Sequence, residues 1–115
     1  MLIFVYGTLK TGRRLHAHMA GSRFAGEAVT QPYYRLYQID WFPGLVEHDE
    51  GISIRGEAWD VSPETLAILD QVEEVDVGLF ERRSIQLAAP FDTSAVESYF
   101  FLGSISEAED SGDCW

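Results

Sequence analysis

FVYGTLKTGRR, residues 4–14, poses the question on which the fold turns. From Leu2 to Tyr6 the chain is apolar without interruption, which suits a strand covered on both faces. Gly7 ends that run, and Lys10, Gly12, Arg13 and Arg14 follow. Gly7 to Gly12 has the GxxxxG spacing of a phosphate loop, yet Arg13 and Arg14 stand where a lysine and a hydroxyl residue are needed. Without a lysine for the terminal phosphates or a hydroxyl for magnesium, the nucleotide reading fails. What remains is a strand-to-loop turn whose glycine lets several backbone N–H groups converge on an anion.

The cations around this turn stand out because the rest of the chain is acidic. Net charge over the 115 residues is −11, while residues 1–26 hold Lys10, Arg13, Arg14 and Arg23 and no acid. Such a balance disfavours nucleic acid as a partner, since phosphate contacts need a positive face. The basic island is either an anion-attracting feature of the turn or a solvated surface offset by acids elsewhere. The length suits one domain, and 46% hydrophobic residues suit a folded globule. No apolar run approaches the roughly 18 residues of a membrane span, and nothing at Met1-Leu2-Ile3 resembles a signal peptide. The one cysteine, Cys114, has no internal disulfide partner, so a cytoplasmic address is expected.

Metal and nucleophile chemistry find no support. On a helix His16 and His18 would point about 200° apart, and His48-Asp49-Glu50 reads as a solvated loop triplet. Cys114 lies in an acidic tail, a poor setting for a nucleophile.

Strands are expected at Tyr33–Ile39, Gly51–Val61, Ser84–Leu87 and Val96–Leu102, with a short helix around Leu15–Met19 and a turn at Phe42-Pro43-Gly44. Gly56, inside the second of these strands, marks a bulge or a close backbone approach. From Ser104 the chain is acid-rich and short of core-forming residues, so residues 1–103 are expected to form the domain and 104–115 a mobile tail.

The clearest helix follows Val61. Ser62 suits the N-cap, Pro63 the first helical position and Glu64 the positive end of the dipole. At about 100° per residue from Leu66, Leu69 falls near 300°, Val72 near 240° and Ile68 near 200°. On the same wheel Glu73 falls near 340°, Asp70 near 40° and Glu74 near 80°, all approximate. Glu73 is thus the acid turned most toward the core. Burial there raises a carboxyl pKa, and perturbed acids gather at functional sites. A fraying helix end, or a buried pair with Arg82, is the structural alternative.

Three segments together resemble the gamma-glutamylcyclotransferase-like superfamily: FVYGTLKTG at 4–12, FPGLV at 42–46 with IRGEAWDV at 54–61, and LDQVEEVDVGLFERRSI at 69–85. The likeness spans about residues 2–103 and matches the family's YGTLK and LDxxE signatures in order and spacing. It implies an α+β fold, a compact mixed β-barrel with short flanking helices. It also implies a cofactor-free cyclisation of a γ-glutamyl amine or amide, releasing 5-oxoproline and an amine. Carried over by position, Glu73 is the catalytic acid/base, Tyr6, Gly7, Thr8 and Leu9 form the substrate-binding turn, and Lys10 and Arg82 are supporting candidates. Phe80 departs from the usual tyrosine, and Glu74 takes a place where glycine is common.

Two functions fit this reading: an enzyme on a small γ-glutamyl substrate, with neither metal nor cofactor, or a non-catalytic module that keeps the fold for binding. The first expects Glu73 to face the Tyr6–Leu9 turn across a pocket. The second expects Glu73 locked in a salt bridge with no cavity beside it.

Overall fold

Ile3, Phe4 and Val5 have almost no exposed surface, and the reason lies in what flanks them. The computed structural model describes residues 1–115. In it β1 (Leu2–Val5) is sandwiched between β5 (Arg55–Asp60), antiparallel, and β7 (Val96–Phe101), parallel. Phe4 and Tyr6 point into one apolar cluster with Leu45 and Phe100. Ile3 and Val5 point into a second, shared with Leu69, Tyr99 and Phe101. A strand buried on both faces can afford no polar alternation, hence the unbroken run.

The sheet is mixed and eight-stranded, in the order β2-β5-β1-β7-β4-β3-β8, with β6 also pairing β7. The other strands are β2 (Arg23–Val29), β3 (Tyr34–Gln38), β4 (Pro43–Glu47), β6 (Phe80–Ser84) and β8 (Glu109–Asp110). It curls into a half-barrel around the first cluster and carries one α-helix, α1 (Pro63–Val72), over the second.

β7 organises this arrangement. It pairs with β6 from Glu97 to Phe101. A strand has two edges, so β1, opposite Val96 and Glu97, and β4, opposite Phe100, must share the other. Where β1 ends and β4 begins, that edge forks. The Tyr6 hydroxyl plugs the fork, donating to Tyr99 O at 2.7 Å and accepting from Leu45 N at 3.3 Å.

Helix α1 starts as its sequence dictates, with Thr65 N donating to the Ser62 side chain at 3.1 Å and Pro63 in the first turn. Leu69 is fully buried and Ile68 is 47% exposed, matching the inward direction of the projection. Gly56 marks a close approach: a Cβ there would sit 2.4 Å from Val5 O.

Several boundaries differ from expectation. Pro43 and Gly44 are not a turn but open β4, and the connection is the preceding Ile39–Phe42. Proline is tolerated there because the first strand residue need not donate. The expected Gly51–Val61 strand forms only from Arg55, with Ile52 making a lone bridge to Tyr34. The strand expected at Ser84–Leu87 lies earlier, at Phe80–Ser84, and the Leu15–Met19 helix is a 3₁₀ turn over His16–Met19. β2, which no apolar pattern announced, is an edge strand with mostly exposed residues.

The segment from Ser104, expected to trail away, is laid against the body. β8 pairs with β3, Asp110 meets Arg35 at 3.3 Å, Asp113 meets Arg55 at 3.2 Å, and Trp115 packs on the first cluster. Two of its four acids, Asp110 and Asp113, have particular cations to meet, which composition does not reveal.

Candidate active site

Once β1 passes Val5 it has left its neighbours, and the next residues have no ladder to join. The main-chain N–H groups of Tyr6, Gly7, Thr8 and Leu9 find no hydrogen-bond partner within the protein. All four residues are buried, and buried N–H groups are rarely left unpaired. The turn is nonetheless held from outside. Lys10 N donates to Gly7 O at 3.0 Å and Leu15 N to Thr8 O at 2.8 Å. Glu57 accepts from Thr11 N at 2.9 Å and from its hydroxyl at 3.2 Å, while His16 Nδ1 lies 2.9 Å from Leu9 O. Gly7 is required for close approach, since a Cβ would fall 2.4 Å from Pro43 Cγ.

Across from this turn stands Glu73. It caps the C-terminal end of α1, and Glu74 then reverses the chain with a φ of 53°, left-handed for a non-glycine residue. Tyr6, Gly7, Thr8, Leu9 and Glu73 line one cavity, together with Phe4, Val5, Phe42, Pro43 and Tyr99. Its volume is about 20 Å³, room for a single water-sized molecule. The Glu73 carboxyl makes no ion pair and no hydrogen bond. Burial, and secondarily the charge of Glu74, lift its pKa from the ordinary 4.5 to about 7. The Tyr6 hydroxyl is likewise pushed upward, first by burial and then by the Glu73 charge, which places the two side chains within electrostatic reach. A carboxyl that titrates near neutrality, opposite a run of unpaired amides, can accept a proton, return it, and do so beside a developing anion.

The remaining sequence candidates lie elsewhere. Lys10 Nζ is bonded to the main-chain oxygen of Trp115 at 2.8 Å, as is Arg13 at 2.9 Å. Arg14 stacks over the Trp41 ring at 4.5 Å. None of the three lines the cavity. Arg82 does not orient Glu73. It grips Asp70 with two bonds, 2.9 and 3.2 Å, and also pairs with Glu97. The Asp70 carboxylate in turn accepts from the Tyr99 hydroxyl at 2.7 Å. Arg82 therefore pins α1 to β6 and β7, and so fixes the helix end on which Glu73 sits. Asp70 was not singled out, although its place in Leu69-Asp70-x-x-Glu73, one turn before Glu73, marks the same helix end. Phe42, which the sequence offers only as part of a turn, and Tyr99 reach the cavity only through the fork of the sheet. Phe80 is buried against Phe42 and Phe101 in an apolar setting, where a phenolic oxygen would need a partner.

Known proteins resemble this chain in sequence and in fold. Residues 3–114 match the family described as gamma-glutamyl cyclotransferase, AIG2-like. A Vibrio cholerae protein named "Putative gamma-glutamylcyclotransferase" is 38% identical over 112 residues, covering 97% of this chain and 93% of its own. Among solved structures, a uropathogenic E. coli-specific protein aligns with a TM-score of 0.81 at 28% identity, over 96% of this chain and 86% of its own. An AIG2-like protein from Mus musculus aligns with a TM-score of 0.74 at 25% identity, over 90% and 76% of the two chains. With the family matched over nearly its whole length and the fold shared, the chain belongs to the AIG2-like gamma-glutamyl cyclotransferases.

Proposed function

We propose that the protein cyclises a γ-glutamyl amine or amide to 5-oxoproline, releasing the amine, with Glu73 as the single acid/base. The observation that carries this reading is the pairing of a solitary, partly dry carboxyl with four unpartnered amides in one cavity. A binding module would have no reason to leave Glu73 without a counter-ion, given the cost of burying a charge.

The substrate brings both reacting groups. Its α-ammonium gives a proton to the Glu73 carboxylate, and the freed amine attacks the γ-carbonyl carbon. A C–N bond forms and the carbonyl oxygen becomes anionic, stabilised by N–H groups of the Tyr6–Leu9 turn. The oxyanion collapses, the original C–N amide bond breaks as Glu73 returns its proton to the departing nitrogen, and the surplus proton left on the ring nitrogen passes through Glu73 to the freed amine, which departs as its ammonium. Every atom is accounted for, and nothing is oxidised or reduced. Tethering nucleophile and electrophile in one molecule contributes on the order of 7–11 kcal/mol when the folded conformer is held. The cavity as it stands does not hold a γ-glutamyl group, so binding must part its walls. Phe42, in the Ile39–Phe42 connection, is the wall residue from the segment between two ladders. The free thiol of Cys114 fits a cytoplasmic setting for the reaction.

The test is a panel of γ-glutamyl amines and amides incubated with purified protein, 5-oxoproline being measured. At least one should turn over, and Glu73→Gln should abolish that turnover. Equal rates in the two proteins would remove Glu73 from the chemistry.

A further inference from the structure

Nothing in the family reading gives residues 104–115 a task, yet Trp115 lies beside the candidate catalytic turn, outside the cavity, and is bonded to Lys10 and Arg13 just after it. Trp115 presents its main-chain oxygen to both Lys10 and Arg13, at 2.8 and 2.9 Å. Its indole N–H donates to Gln38 Oε1 at 2.6 Å, and the Arg13 guanidinium lies 5.1 Å from the ring centroid. The ring edge reaches to 3.7 Å from where a Cβ on Gly7 would stand, beside Pro43. Upstream, Ser111 N donates to Leu36 O at 2.8 Å and Arg55 N to Asp113 O at 2.7 Å, so the segment is moored along β3 and β5 before it reaches the turn. The neighbouring hollow of about 220 Å³ has two cations, Lys10 and Arg55. Both are engaged by this segment, which leaves neither free for a ligand.

The turn needs such an outside hold. Its amides at positions 6–9 join no ladder, and Gly7 and Gly12, the latter with a φ of 79°, leave its backbone permissive. The exposed ion pairs contribute little one by one. The half-buried indole, its hydrogen bond and the doubly engaged oxygen act together at one point.

We propose that residues 104–115 form a positioning strap: Trp115, acting through Lys10, Arg13 and Gln38, holds the Gly7–Leu9 turn at its working distance from Glu73. This rests on the cyclotransferase reading for its effect on rate, but not for its effect on the turn.

The experiment uses the full chain and two variants, Trp115→Ala and Trp115→Phe, with two readouts. One is amide hydrogen exchange at Lys10, Thr11 and Leu15, whose bonds close the turn, compared with amides of β7. The other is steady-state kinetics on whichever γ-glutamyl amine the wild type turns over. Trp115→Ala should speed exchange at the three turn amides while β7 stays protected, and lower kcat by about 10²-fold, as a displacement near 1 Å does, with KM little changed. Trp115→Phe, which keeps the packing ring, should recover most of both. Unchanged exchange and kcat in Trp115→Ala would overturn the proposal. So would faster exchange in turn and β7 alike, which is general loosening. If the wild type turns over no substrate, the cyclotransferase reading fails, and the exchange comparison still decides for or against the strap.

Discussion

Replacing Glu73 with glutamine should make the folded protein more stable at neutral and alkaline pH. The carboxyl titrates at about 7 in the fold against an ordinary 4.5, burial being the larger cause and Glu74 the smaller. Below pH 4.5 it is protonated both folded and unfolded, and contributes nothing to the pH dependence. Between 4.5 and 7 the folded form binds the extra proton, so stability falls as pH rises through that window. Above 7 the folded state bears the full cost of a charge in a dry place. At 1.36 kcal/mol per pH unit, the gap amounts to about 3 kcal/mol. Glutamine keeps the shape without the charge, though its unpartnered amide gives back about 1 kcal/mol. The net gain at pH 8 is about 2 kcal/mol, or on the order of 10 °C in Tm for a chain of this size. Urea unfolding of both proteins from pH 4 to pH 8 checks this, because acids that do not sense the Glu73 charge cancel in the difference. By the same arithmetic the variant should be about 1 kcal/mol less stable than wild type near pH 4, overtake it between pH 4.5 and 7, and lead by about 2 kcal/mol at pH 8. Parallel curves, or a variant less stable than wild type at pH 8, would refute the reasoning.

Two further expectations bear on the same helix end. Glu74→Gly removes both a left-handed glutamate, which costs about 1–2 kcal/mol, and the like charge beside Glu73; against glycine's own entropic cost, the protein should gain about 0.5–1 kcal/mol in urea unfolding, and the acid limb of kcat/KM, set near pH 7 by Glu73, should move to lower pH. Arg82→Met leaves Asp70 half-buried beside Tyr99 without its cation; it should lower stability by about 2 kcal/mol and reduce kcat more than it raises KM, since Glu73 is displaced but still present.

What the sequence made legible follows a physical line. Leu2–Tyr6 was readable because burial on both faces removes every polar residue, and α1 because Ser62-Pro63 settles its start and 3.6-residue periodicity its inward face. That periodicity also turned Glu73 inward. β2 was not readable, since an edge strand with solvent on most of its residues carries no hydrophobic period. Pro43-Gly44 misled because the pair usually makes turns; here Gly44 is crowded by the Phe101 and Ile39 side chains, so glycine serves packing within β4. The Arg82–Asp70 grip and the mooring of Asp110 and Asp113 join residues far apart in sequence. Composition alone, rich in acids and short of core-forming residues, reads that segment as a mobile tail.

Several irregularities of this molecule meet at one place, the fork beside β7. Two parallel strands, β1 and β4, share one edge of β7 in succession, so β1 must leave the sheet while still buried. Its next amides then have nothing to bond. A fold selected for stability alone would fill that gap, as the Tyr6 hydroxyl does one step earlier by bridging Tyr99 and Leu45. Instead the gap faces a lone carboxylate, carried on a helix end that finishes in an unfavourable left-handed residue. Each of these departures costs stability, and departures of this kind persist where function requires them. The site thus follows from the topology: a barrel that splits one strand edge between two partners leaves a donor-rich notch, and the residue four places after the buried Leu69 is the one that reaches it.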